Sequence, residues 1–121
     1  MSPRVWWLVV AGSVALIAAA TLLPFGGTAA ASLPPRWCLA CGGLWAADGI
    51  SNMVLFLPLG LALAGVSLGA APSLAAGCLL SFAVELAQAN GFPPGRSPAI
   101  ADVLTNSAGT ALGWLMFTTG P

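Results

Sequence analysis

The chain has 121 residues, 59% of them apolar and 5% charged, and its three arginines balance three acids with no histidine present. About a quarter of an average soluble chain is charged, so this composition excludes an ordinary water-soluble domain and calls for a surface that meets lipid. The length excludes a large multi-domain enzyme, and a net charge of zero leaves no electrostatic footprint for nucleic acid.

Crossing a bilayer core takes roughly 17 to 25 apolar residues. The first stretch that qualifies runs from Val5 to Leu23. With Arg4 before it and "GGTAAAS" after it, it has the layout of a secretory signal peptide. Its apolar run is longer than a signal core, however, and the reading adopted is an uncleaved anchor. Trp6 and Trp7 at one end, and Trp37 and Trp45 in the segment that follows, suit the membrane interface.

That following segment carries "CLAC", which pairs Cys38 with Cys41. A structural zinc usually needs four ligands, and with no histidine and Cys78 inside a later apolar stretch, no metal site is expected. The spacing suits a local disulfide if the segment is extracytoplasmic or two unreactive small thiols if it is not, and either is preferred to a catalytic redox pair. Cys78 reads as a small packing residue.

The second stretch runs from Met53 to Ala71 and the third from Pro72 to Ala89, which makes them a tight hairpin. Pro72 suits a first helical turn, where its missing N–H costs nothing. Pro58, inside "NMVLFLPLG", cannot donate to the Val54 carbonyl, so a kink is expected there. The fourth stretch runs from Pro98 to Phe117. Ser97 is expected to cap it, with Pro98 at its first position and Asp102 near the positive end of its dipole. The whole chain, 1–121, thus reads as one all-α integral membrane domain of four transmembrane helices.

Four alternating spans bring the polar residues to one end. Asp48 and Asn52 open the second span, Glu85 and Gln88 close the third, Arg96 lies in the connection, and Asp102 and Asn106 open the fourth. Ser81, Glu85 and Gln88 share one helical face, as do Asp102, Asn106, Gly109 and Gly113. Gly109 and Gly113 have the small-xxx-small spacing that lets helices approach closely in lipid. An ionised carboxylate facing lipid would cost at least about 2.5 kcal/mol, so Glu85 should be protonated, paired or wet. Arg96 is the basic residue near Glu85 and Asp102 in this arrangement, and a guanidinium can bridge two acids. These positions frame a shallow polar pocket, which reads as a binding site or as a packing network. Two carboxylates could divide acid and base roles. No established catalytic motif accompanies them, so the reading leans away from an enzyme, and no cofactor is called for.

The polar blocks resemble the VanZ-like membrane proteins, a family named for a teicoplanin-resistance accessory protein. Asn52 through Gly60, "NMVLFLPLG", is similar to the family's Asn-x-x-x-Phe-x-Pro-x-Gly segment. "SFAVELAQ" from Ser81 and "GRSPAIADVLTNSAGTALG" up to Gly113 resemble its Ser-x-x-x-Glu-x-x-Gln, Arg, and Asp-x-x-x-Asn-x-x-Gly-x-x-x-Gly order. Gly26 to Ala47 lies outside the match.

The resemblance implies a small multi-pass protein of the bacterial cytoplasmic membrane. Its expected partner is membrane lipid, with a lipid-linked cell-wall precursor or a lipophilic glycopeptide such as teicoplanin as candidates, and reduced glycopeptide susceptibility as a candidate consequence. The rival readings are an enzyme or transporter acting on a polyprenyl- or phosphate-bearing lipid, and a structural membrane scaffold. Arg4 favours a cytoplasmic N-terminus, whereas Arg36 and Arg96 argue the other way. The resemblance tips the reading to N-in, C-in, with the polar end outward.

Overall fold

The computed structural model describes residues 1–23, 47–91 and 98–121, with Ala47 and Asp48 described by their backbone. The described residues form four α-helices and no strand: α1 Pro3–Leu22, α2 Ala47–Gly65, α3 Ala70–Ala89 and α4 Ile100–Thr119. Arg36, Trp37, Cys38, Cys41, Trp45, Arg96 and Ser97 lie outside the described residues, and so do the readings placed on them.

The helix limits follow from local chemistry. Pro3 occupies the first turn of α1, where an N–H would lack an intrahelical partner. α2 begins at Ala47 rather than Met53, because its opening residues include Asp48, Ser51 and Asn52 and an apolar run does not register them. It continues through Pro58. It ends at Gly65 rather than Ala71 in a Schellman turn: Leu68 N–H donates to the Leu63 carbonyl at 2.9 Å and Ser67 N–H to Ala64 at 2.8 Å. Ser67 adopts the left-handed conformation this turn requires, with φ 66°. The short connection leaves α2 and α3 as a hairpin, and Pro72 falls in the first turn of α3.

At the far end of α3, Asn90 caps with its backbone N–H on Leu86 and Ala87 and its side chain on the Leu86 carbonyl at 2.9 Å. Gly91 follows at φ 83°. Pro98 is not the first residue of α4: Ala99 is the capping residue and Ile100 starts the helix. Asp102 does fall in the first turn.

Three glycines set the packing of α2 against α4. A Cβ on Gly109 would collide with the Met53 carbonyl, one on Gly113 with the Leu57 carbonyl, and one on Gly60 with the Thr110 carbonyl. The Met53–Gly109 and Leu57–Gly113 pairs advance together by one turn along both helices, so α2 and α4 run parallel with their backbones in contact. The α3–α4 pairing has the opposite sense: Gly77 meets Thr110, and Ser81 meets Asn106. These two helices are antiparallel.

α1 completes the bundle. Ser13, Ile17 and Thr21 form its buried face, and Ile17 joins Phe56, Leu59, Leu63 and Val84 in the apolar core. Trp6 lies over Gly65 and meets Phe117 edge to face, with ring centroids 5.2 Å apart. Trp6 is therefore a packing residue, while its neighbour Trp7 is exposed. At this same end Trp114 Nε1 donates to the Leu68 carbonyl at 2.9 Å and ties α4 to the hairpin turn.

The distribution of polarity is inverted relative to a water-soluble bundle. Ser73, Ser81, Glu85, Gln88, Thr105, Asn106 and Thr110 are buried, whereas Leu8, Val54, Leu79, Leu104, Leu112 and Leu115 are exposed. α1 and α3 are long and apolar enough to cross a membrane; the apolar part of α2, Gly49–Gly65, is shorter. α4 falls short because Thr105, Asn106, Ser107 and Thr110 dilute its apolar content.

Candidate functional site

The end of the bundle where α1 and α3 finish and α2 and α4 begin holds the polar residues, in two layers. The outer layer contains Asn52, Glu85 and Asp102. Asn52 Nδ2 donates to Asp102 Oδ1 at 3.0 Å, joining α2 to α4. Glu85 Oε2 accepts from the Ala99 N–H at 2.8 Å, joining α3 to the start of α4. One turn deeper, Asn106 Nδ2 donates to Ser81 Oγ at 2.8 Å. The layers arise from sequence spacing, because Ser81 and Glu85 are four residues apart on α3, and Asp102 and Asn106 are four apart on α4.

Each bond has a local cause. No side chain caps α4, since the capping residue is Ala99, and the first N–H groups of a helix have no intrahelical acceptor. The Glu85 carboxylate supplies one from the neighbouring helix. When ionised, it also places negative charge at the positive end of the α4 dipole. This is one physical reason for a carboxylate within the apolar sequence of α3. Gln88 does the complementary job: its Nε2 donates to the Thr21 carbonyl at 3.4 Å, within the last turn of α1, where carbonyls lack partners. Thus α3 presents an acceptor to the start of one neighbour and a donor to the end of another.

Glu85 is 1% exposed and Asn106 2% exposed, so both sit inside the protein, whereas Asn52 and Asp102 are half-buried and form the rim. The buried threonine hydroxyls are satisfied along their own helices: Thr21 on the Ile17 carbonyl, Thr105 on Ala101 and Thr110 on Asn106. The Asn106 Oδ1 atom is buried without a hydrogen-bond partner.

The structure therefore brings Asn52, Glu85, Gln88, Asp102 and Asn106 to one end, and adds Ser81, Thr21 and the Ala99 N–H to the group. Asp48 lies at the start of α2, at that same end. Gly109 and Gly113 lie deeper along α4, against α2, as does Gly60 from the other side. Pro58 is half-buried within α2. Thr21 escaped sequence reasoning because its contribution is a backbone carbonyl; so did Ala99, whose backbone N–H carries no side-chain signature. Among the described residues, no group of three histidines, cysteines or acids is placed to hold a metal.

The architecture defines a small all-helical protein whose exterior is apolar and whose one polar end is built from interhelical amide, hydroxyl and carboxylate bonds. The sequence profile of the VanZ/LLP1 family matches residues 2–119, and the chain belongs to that family. No curated protein and no solved structure matches it.

Proposed function

We propose that the protein is a four-span integral protein of the bacterial cytoplasmic membrane, with both termini inside and the polar end facing outward. The observation that carries the four spans is the inverted polarity: α2 and α4, like α1 and α3 with Leu8 and Leu79, carry exposed large apolar side chains, among them Val54, Leu104, Leu112 and Leu115. In water those side chains would form an extensive apolar surface. In lipid they are matched to their solvent, and the buried amides and hydroxyls become interhelical ties. α1 enters the same core through Ile17 and receives Gln88 on its Thr21 carbonyl, which supports a retained anchor over a cleaved signal.

The polar end binds a lipid-associated partner of the cell envelope, and through it the protein lowers susceptibility to lipophilic glycopeptides such as teicoplanin. Support comes from the two-layer cluster, which places ionisable groups inside an apolar bundle, a costly arrangement that marks functional positions in membrane proteins. The test is teicoplanin and vancomycin susceptibility of a sensitive Gram-positive host expressing the wild type, Glu85→Gln or Asp102→Asn at matched membrane abundance. Both substitutions keep an acceptor oxygen for the bonds to Ala99 and Asn52 while removing charge. Selective protection against teicoplanin that either variant loses supports the reading. Absence of protection from well-expressed wild type removes the resistance part.

A structural scaffold is the second reading, and the bonds Asn52–Asp102, Ala99–Glu85, Asn106–Ser81 and Gln88–Thr21, each joining elements distant in sequence, favour it. Under that reading activity falls only in parallel with abundance.

A further inference from the structure

The amide nitrogens of the polar end are directed into internal bonds. Asn52 Nδ2 serves Asp102, Asn106 Nδ2 serves Ser81, and Gln88 Nε2 serves the Thr21 carbonyl. The Ala99 N–H serves Glu85. What is left over is an acceptor: Asn106 Oδ1, on a side chain 2% exposed, has no partner. A buried amide oxygen without a donor costs about 1 to 3 kcal/mol, so its persistence points to a donor that completes it.

The charge of this end points the same way. Asp48, Glu85 and Asp102 are all the acids of the chain, and each stands at or near this end on α2, α3 or α4. Even with Arg36 and Arg96 of the connecting segments both counted against them, the balance is negative. Arg4 belongs to the opposite end, in the first turn of α1. An anionic phosphate would find no advantage in that balance. An ammonium group offers three donors, a positive charge and no acceptor, and so complements a buried amide oxygen at an end whose charge balance is negative.

We propose that the polar end binds a primary ammonium group, held by the Asn106 amide oxygen beneath the Glu85 and Asp102 layer, and that the group is carried on a lipid headgroup. This rests on the reading that the polar end binds a lipid-associated partner, and names its chemistry. Entry is from the Asn52–Asp102 rim, which is half-buried. The Ser81–Asn106 bond sets the orientation of the amide.

The test uses the full chain in nanodiscs of mixed lipid, with retained lipid read by native mass spectrometry. Phosphatidylethanolamine and phosphatidylcholine share a phosphate and differ in whether the nitrogen carries N–H. Phosphatidylglycerol is the anionic comparison. Retention of phosphatidylethanolamine over phosphatidylcholine by about tenfold or more is expected, the scale of one charge-assisted hydrogen bond. Asn106→Leu should abolish that preference, and Ser81→Ala, which keeps the acceptor but releases its orientation, should weaken it by less. The wild-type comparison stands by itself if the leucine variant does not fold.

Stabilisation by free ethanolamine in pure phosphatidylcholine discs, without lipid discrimination, would keep the ammonium chemistry and assign a soluble source. Equal retention of both zwitterionic lipids with no effect of ethanolamine overturns the proposal. If that retention still falls in Asn106→Leu, the pocket reading survives; if no lipid responds to any polar-end substitution, the pocket reading fails as well. Preferential retention of phosphatidylglycerol overturns the proposal in favour of an anion site.

Discussion

Glu85 on α3 and Ala99 at the head of α4 are joined by a 2.8 Å hydrogen bond from the Ala99 N–H to a carboxylate oxygen that is almost wholly buried. The bond makes one side chain the cap of a neighbouring helix. Removing the acceptor leaves a helix-end N–H without it, and costs about 1 to 3 kcal/mol. Glu85→Ala should therefore lower the unfolding midpoint of the purified protein clearly more than Glu85→Gln, which keeps an oxygen in place. Equal loss from both would show that charge, not the cap, is what the site needs.

The α2–α4 contact predicts a steep steric response. Gly109→Val and Gly113→Val each drive a side chain into the Met53 or Leu57 carbonyl region, and neither carbonyl belongs to a flexible side chain that could move aside. Overpacking of this kind costs about 1 to 3 kcal/mol or more. Gly12→Ala is the matched control, since nothing lies within 4 Å of a Cβ there. Thermal unfolding in detergent should separate the first two from the third.

Ser67 pays for a left-handed conformation, at φ 66°, that a glycine adopts freely. Ser67→Gly should raise stability by about 1 kcal/mol, measured as a higher unfolding midpoint with unchanged helix content.

The Asn52–Asp102 bond is open to a double-mutant cycle. Asn52→Leu, Asp102→Leu and the pair should give a coupling near 0.6 kcal/mol and no more than about 1.7, the range found for interhelical bonds in membranes. Additive losses would mean that the 3.0 Å contact contributes nothing net.

Cys78 is exposed in the middle of α3. If α3 faces lipid, a Cys38→Ser, Cys41→Ser variant should resist a membrane-impermeant maleimide in intact membranes and react once denatured. A cysteine placed at exposed Asn90, beyond the end of α3, should react in intact cells when the polar end faces outward. Rapid labelling of Cys78 in native membranes would remove α3 from the bilayer.

The sequence by itself located the four helices of the described residues, because each contains a long apolar stretch, and it carried the family in the blocks from Asn52 to Gly60 and Ser81 to Gly113. Helical periodicity also placed Ser81, Glu85 and Gln88 on one face, and all three are buried. It misplaced the start of α2, since polar opening turns such as those holding Asp48 and Asn52 are invisible to an apolar count. Only the tertiary structure decided what the polar residues touch. Glu85 accepts from the Ala99 N–H and Gln88 donates to the Thr21 carbonyl, backbone groups that no side-chain pattern can announce. That α2 seats directly on α4 was likewise settled by which carbonyl each glycine meets, a fact of three-dimensional register that spacing along one helix cannot contain.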